Sequence, residues 1–173
     1  YNGSATNSGD NGSAASTGYN GSATNSGDNG SAASTGDTGS ASNSGSRGIA
    51  VSVGTGGWAR STIDGCFVLA DDSDPNRRRV LVGYPGENGI EPDIWYRAVD
   101  GKLVAERNML LPNDGRGHVL RYNNGRYVAG CRDFSADEAI AHWSDPNHTR
   151  PDCAGRLLAE VRAHIARQQR PTS

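Results

Sequence analysis

YNGSATNSG (1–9), DNGSAASTG (10–18), YNGSATNSG (19–27), DNGSAASTG (28–36), DTGSASNSG (37–45) and SRGIAVSVG (46–54) are six consecutive rows of nine residues that open the chain. The third and ninth positions of every row are Gly, and the fifth is always Ala: Ala5, Ala14, Ala23, Ala32, Ala41 and Ala50. A flexible Gly/Ser linker has similar composition but needs no fixed phase. The phase, together with Asn-Gly turn signals at Asn2, Asn11, Asn20 and Asn29, points instead to a solenoid. Gly takes positive φ at little cost and Asn tolerates it, so each Asn-Gly marks a corner.

The row dictates the geometry. Positions 4–8 form a short strand of small side chains, and two rows make one flattened coil of 18 residues. Coils then stack at roughly 4.8 Å through backbone pairing. Side chains alternate along a strand, so Ala5 and position 7 face one way, and Ser4, Thr6 and Ser8 the other. A constant Ala implies an interior with room for little more than a methyl. The Ser and Thr positions then make outward hydroxyl ladders. In the sixth row these outward positions become Ile49, Val51 and Val53, which suggests a surface docking the solenoid to the C-terminal part of the chain, near Trp58 or Phe67. The six rows amount to three coils. Row one carries no charge and no Pro, so Tyr1, Ser4, Thr6 and Ser8 are expected to form an open edge that recruits another strand. Since the chain opens inside a repeat, it reads as part of something longer.

Bulk composition narrows the function classes. The chain has 173 residues and a formal net charge of −2, with a pI near 6.1. The rows to Gly54 carry one Arg and three Asp, which accounts for the whole net charge. A nucleic-acid binder working through a basic surface is disfavoured. No apolar stretch is long enough to insert in a membrane. Asp10, Asp28 and Asp37 do not fall in the pattern of calcium-binding nonapeptides, and the Asn-Gly-Ser acceptors for N-glycosylation arise from the repeat's own letters. Cys66, Cys131 and Cys153 are too widely spaced for a compact zinc site.

Beyond Gly57 the sequence becomes that of an ordinary domain. Residues 66–70 (CFVLA) and 79–83 (RVLVG) read as strands. Asp100-Gly101 joins 94–99 to 102–107, and Asn123-Asn124-Gly125 joins 118–122 to 126–131, so hairpins are expected over 92–131. Ser135 with Glu138 is a capping box opening a helix over 135–143. A second helix over 152–168 presents Leu157, Leu158, Val161 and Ile165 on one face. The fold expected is thus an N-terminal β-solenoid of nine-residue rows, 18 residues per coil, over 1–57, followed by a small α+β domain over 58–173.

The rows run into GGWARSTIDGCFVLADD (56–72) and GIEPDIWYRAVDGKLVAE (89–106). This run resembles phage and prophage proteins in which Ser-Ala-Ala-Thr-x-Gly arrays precede a Gly-Cys-Phe strand and a Pro-Asp-x-Trp-Tyr…Asp-Gly hairpin. The resemblance covers roughly residues 1–107 through Cys66, Trp95, Tyr96 and Asp100-Gly101. AGCRDFSADEAIAHWSDP (129–146) is similar to a segment at the ends of other phage-linked proteins. These are proteins of unknown function. The resemblance implies a phage or mobile-element origin and a virion-associated or extracellular setting, and it carries no catalytic residues.

Cys131, Asp133 and His142 come nearest to a nucleophilic set, but a buried Cys and a helix-end His that favours the helix dipole are the preferred reading. Glu138 and His142 are one helical turn apart and lack a third metal ligand. Arg77-Arg78-Arg79 follows Asp71, Asp72 and Asp74 and reads as a self-neutralising loop. The expectation is a structural or interaction protein that self-associates and takes a protein partner. It has no catalytic residues, cofactor, metal, nucleic acid or small-molecule substrate. The alternatives are a surface binder of ice or glycan through the hydroxyl ladders, and a phage-encoded inhibitor of a host system.

Overall fold

The computed structural model describes residues 3–112 and 119–169. The chain forms two compact units that divide at Arg107–Asn108.

The first unit is a β-solenoid. Its strands are β1 (Ser4–Asn7), β2 (Ser13–Ser16), β3 (Ser22–Asn25), β4 (Ser31–Ser34), β5 (Ser40–Asn43), β6 (Ile49–Ser52), β7 (Trp58–Arg60) and β8 (Cys66–Asp71). Odd strands stack in one parallel sheet and even strands in another, so each coil contributes one rung to each. The register is fixed by the period: Ala5 lies beside Ala23 and Ala23 beside Ala41 in the first sheet, and Ala14 beside Ala32 and Ala32 beside Ala50 in the second. Ala23, Ala32, Ala41, Ala50 and Ala59 are fully buried.

The solenoid does not stop at residue 57. Trp58 pairs beside Ser40 and Ala59 beside Ala41, while Cys66 pairs beside Ile49 and Phe67 beside Ala50. A fourth coil therefore succeeds the three expected, and the boundary placed at 57/58 moves to 107/108. The reason is that the inward rule persists, with Ala59 inside, while outward positions have no volume limit and accept Trp58, Arg60 and Val68.

The last coil is closed by antiparallel strands. β9 (Arg79–Gly83) folds back on β8. β10 (Trp95–Val99) pairs with β7, and β11 (Lys102–Glu106) pairs with β10 through the Asp100-Gly101 turn. Here the thin alanine interior widens to Phe67, Leu69 and Tyr96. Phe67 and Tyr96 stack at 5.2 Å between ring centres. Gly83 lies opposite Phe67, and a Cβ there would fall 2.2 Å from the ring. The loop between β8 and β9 neutralises itself as expected, with Arg78 paired to Asp72.

The second unit contains β12 (Met109–Leu111), β13 (Leu120–Asn123), β14 (Arg126–Ala129) and β15 (Arg132–Phe134) in one antiparallel sheet, then α1 (Ala136–Trp143) and α2 (Pro151–Gln168). The capping box forms: Glu138 N donates to Ser135 Oγ at 3.3 Å and Ser135 N to Glu138 Oε2 at 2.7 Å. Leu157 and Val161 of α2 pack with Leu110, Leu120, Tyr127 and Trp143, and Leu158 and Ile165 flank that core. The expected strand start at residue 118 lies outside the described residues.

Candidate functional site

The interior of each coil is built by position 7. Asn7 Nδ2 donates to Asn25 Oδ1 at 2.6 Å, Asn25 Nδ2 to Asn43 Oδ1 at 2.7 Å, and Asn43 Nδ2 to Ser61 Oγ at 3.0 Å. Each of the three amides also donates to the carbonyl two residues on, at Gly9, Gly27 and Gly45. On the other sheet the same position is Ser, and Ser16, Ser34 and Ser52 donate to the carbonyls of Gly3, Gly21 and Gly39. Asn25, Asn43, Ser34 and Ser52 are buried. Buried polar groups must be paired, so these ladders hold the stack in one register. The Asp residues at row starts act similarly: Asp10, Asp28 and Asp37 each accept a backbone N–H one coil later.

The corners divide labour differently from the sequence expectation. The left-handed residue is the Asn position, at Asn11 and Asn29, with Thr38 and Arg47 in the same place. The Gly after it is required for space. A Cβ on Gly30 would lie 2.3 Å from Asn25 Oδ1, and one on Gly39 2.1 Å from Ser34 Oγ. The ninth-position Gly is also a packing requirement, because a Cβ on Gly36 would fall 1.8 Å from the Gly18 carbonyl oxygen.

The outer faces carry the residues expected to interact. Ser4 and Thr6 are exposed on β1 and Ser8 is exposed just beyond it, while Tyr1 lies outside the described residues. The hydroxyl ladder of that sheet is short. Its third rung, Ser40 and Ser42, is only 6 % exposed. Arg60 donates to Ser42 Oγ at 3.0 Å and lies 4.6 Å over the Trp95 ring. Ile49 and Val51 point outward from the other sheet, beside Cys66 and Val68; Val68 in turn lies beside Val82, and Val80 beside Ala70. Ile49, Val80 and Val82 are exposed. Trp58 belongs to the opposite sheet and Phe67 points inward, so neither meets Ile49 or Val51 as expected; Val53 lies just past β6 and is half-buried.

The second unit holds a cleft of about 430 Å³ lined by residues of β14, β15, both helices and the corner between the helices. It brings Cys131 and His142 together with Arg132, His148 and Arg150, which the sequence did not single out. Cys131 is exposed rather than buried, because it sits in the tight turn between β14 and β15. Arg132 Nη1 lies 3.4 Å from His142 Nε2. A guanidinium only donates, so this ring nitrogen accepts and the imidazole is neutral. Desolvation, with Arg132 and His148 nearby, holds its pKa below the usual value. His142 stacks on Phe134 at 4.9 Å and meets His148 edge-on at 5.1 Å. Asp133 is drawn away, accepting from Arg126 Nε at 2.6 Å. The Cys-His-Asp set is therefore not assembled as a relay. Among the described residues no group of His, Cys, Asp and Glu could hold a metal ion, and no helix is long and apolar enough to cross a membrane.

Comparison with family models, curated proteins and solved structures returns no match for this chain.

Proposed function

We propose that the protein is a structural module: a stiff repeat stalk closed at one end by antiparallel strands and followed by a small α+β unit. The observation that carries this reading is the side-chain ladder with an 18-residue period. Asn7, Asn25, Asn43 and Ser61 are joined rung to rung, so each coil stabilises its neighbours regardless of how many there are. Such a design sets length and rigidity and leaves the outside free to vary. The phage or mobile-element origin implied by the resemblance belongs to the same reading.

Association of copies is part of the proposal. The contiguous apolar band of Ile49, Val51, Val68, Val80 and Val82 on one face of the second sheet supports it. Binding of ice or glycan through hydroxyl ladders is less well supported, because the ladder of the first sheet has one exposed rung and one half-buried rung before it ends under Arg60. Light scattering across the micromolar range tests the association. Multimers that revert to monomers in Ile49→Ser/Val51→Ser/Val82→Ser support it. A strictly monomeric parent removes the assembly role and leaves a spacer. Inserting one further 18-residue repeat after Gly36 tests the stalk itself. The maximum dimension in small-angle scattering should rise by about 4.8 Å, and an unchanged or collapsed particle would count against it.

A further inference from the structure

The cleft in the second unit is lined by two unlike kinds of side chain. Phe134, Trp143 and Leu157 supply an apolar wall. The lining also carries Arg132 and Arg150, and Asp145 is the only carboxylate among the described residues lining it. That carboxylate is engaged, since its Oδ1 accepts from Asn147 N at 2.8 Å. The two imidazoles are also committed within the chain. His142 Nε2 accepts from Arg132, and His148 Nδ1 accepts from Arg150 N at 3.1 Å. The described lining thus carries two guanidinium groups against one carboxylate, and a guanidinium has five donors, so Arg132 keeps donors beyond the one facing His142. The amino end of α2 also borders the cleft. Its cap residue is Arg150, no side chain caps it, and Pro151 occupies the first turn. The positive end of an 18-residue helix therefore adds to the two guanidinium groups.

The size of the cleft decides the ligand class. At about 430 Å³ it is far larger than a single inorganic ion needs, and it falls in the usual range for small-molecule sites, roughly 300–1,000 Å³. We propose that this cleft binds a small organic anion. Its oxyanion head lies between Arg132, Arg150 and the amino end of α2, and its flat apolar body rests against Phe134 and Trp143. The stalk reading does not require this site, and the site does not depend on the stalk.

The test uses the full chain and three probes: phenyl phosphate, benzyl alcohol and inorganic phosphate. Binding is followed by Trp fluorescence and by amide chemical shifts. Phenyl phosphate should saturate with a dissociation constant on the order of 1 mM or tighter, with shifts confined to residues around the cleft. Benzyl alcohol lacks the head and inorganic phosphate lacks the body, and each should bind at least about tenfold more weakly. Arg132→Gln and Arg150→Gln should each weaken phenyl phosphate about tenfold and leave benzyl alcohol unchanged. If Arg132→Gln loses helical circular dichroism, Arg150→Gln carries the comparison, because Arg150 is exposed and caps nothing with its side chain. The proposal fails if phenyl phosphate does not saturate in the millimolar range, if its shifts lie elsewhere, or if either half-probe binds as tightly as the whole. It fails equally if the Arg variants bind phenyl phosphate like the parent.

Discussion

Asn25 donates from Nδ2 to Oδ1 of Asn43 at 2.7 Å, one full coil later, and both side chains are almost wholly buried. Asn25 also accepts from Asn7 and donates to the Gly27 carbonyl, so one amide closes three hydrogen bonds inside the stack. Asn25→Ala strips partners from groups on both neighbouring coils. It should cost about 2–3 kcal/mol, because buried polar atoms are left unpaired. Asn25→Ser should cost less, because Ser61 already serves as a rung. Urea midpoints for the two variants check this, and equal losses would show that the ladder is not what holds the register.

Ala23 sits on the same interior surface with no exposure and an Ala on the rung to either side. Ala23→Leu should overpack a space made for a methyl and lower stability by about 1–3 kcal/mol. The expected result is a lower unfolding midpoint, with the strand signal in circular dichroism retained below it. A neutral outcome would mean that the two sheets can separate, contrary to the tight alanine column.

Two glycines of neighbouring corners separate space from backbone conformation. Gly36 has no room for a Cβ, which would strike the Gly18 carbonyl at 1.8 Å. Gly56 has φ +65° and its nearest atom is Thr38 Cγ2 at 3.7 Å. Gly36→Ala should cost at least about 3 kcal/mol, because backbone must move. Gly56→Asn should stay within about 0.5 kcal/mol, since Asn11 and Asn29 hold the same conformation in other rows. Thermal unfolding of the pair gives the comparison directly.

The 18-residue coil and its buried alanines were legible because a period repeated six times leaves little freedom of phase. The fourth coil was not. Gly57, Ala59 and Ser61 keep the third, fifth and seventh positions, but Trp58 and Arg60 take the outward places and hide the pattern. That row also ends one residue early and lacks its ninth-position Gly, so Cys66 comes to lie beside Ile49 and the inward place beside Ala50 is filled by Phe67 instead of Ala. Alternation puts position 7 inside, yet it says nothing about amides bonding along the stack. The cleft was half visible: Cys131 and His142 stand out by type, whereas His148 and Arg150 reach it only because the corner between α1 and α2 folds back, which no local pattern announces.

His164 supplies a pH dependence confined to the second unit. It is hydrogen-bonded through Nδ1 to the buried Tyr127 hydroxyl at 3.0 Å and packs against Tyr122 at 4.4 Å. Desolvation comes first and the Arg167 charge second in lowering its pKa, with Glu160 opposing them. Glu160 is itself paired with Arg167 at 2.8 Å. A folded-state value below the unfolded one, near 6.5, means that the unfolded chain binds more protons as pH falls. Stability is therefore fully present above about pH 6.5 and is lost progressively as pH drops through the lowered folded value. His142, lowered chiefly by desolvation, acts with the same sign. Helical circular dichroism at 222 nm reports mainly on the second unit, where both helices lie. Its urea midpoint should fall between pH 7.5 and pH 5.5, and His164→Gln should flatten that fall while removing the Tyr127 contact. The Glu138 and Asp71 carboxyls, whose pKa values are also lowered, lose their contribution only further into acid. A midpoint that does not move in the parent, or moves equally in His164→Gln, would show that this histidine is solvated and free to protonate in the folded state.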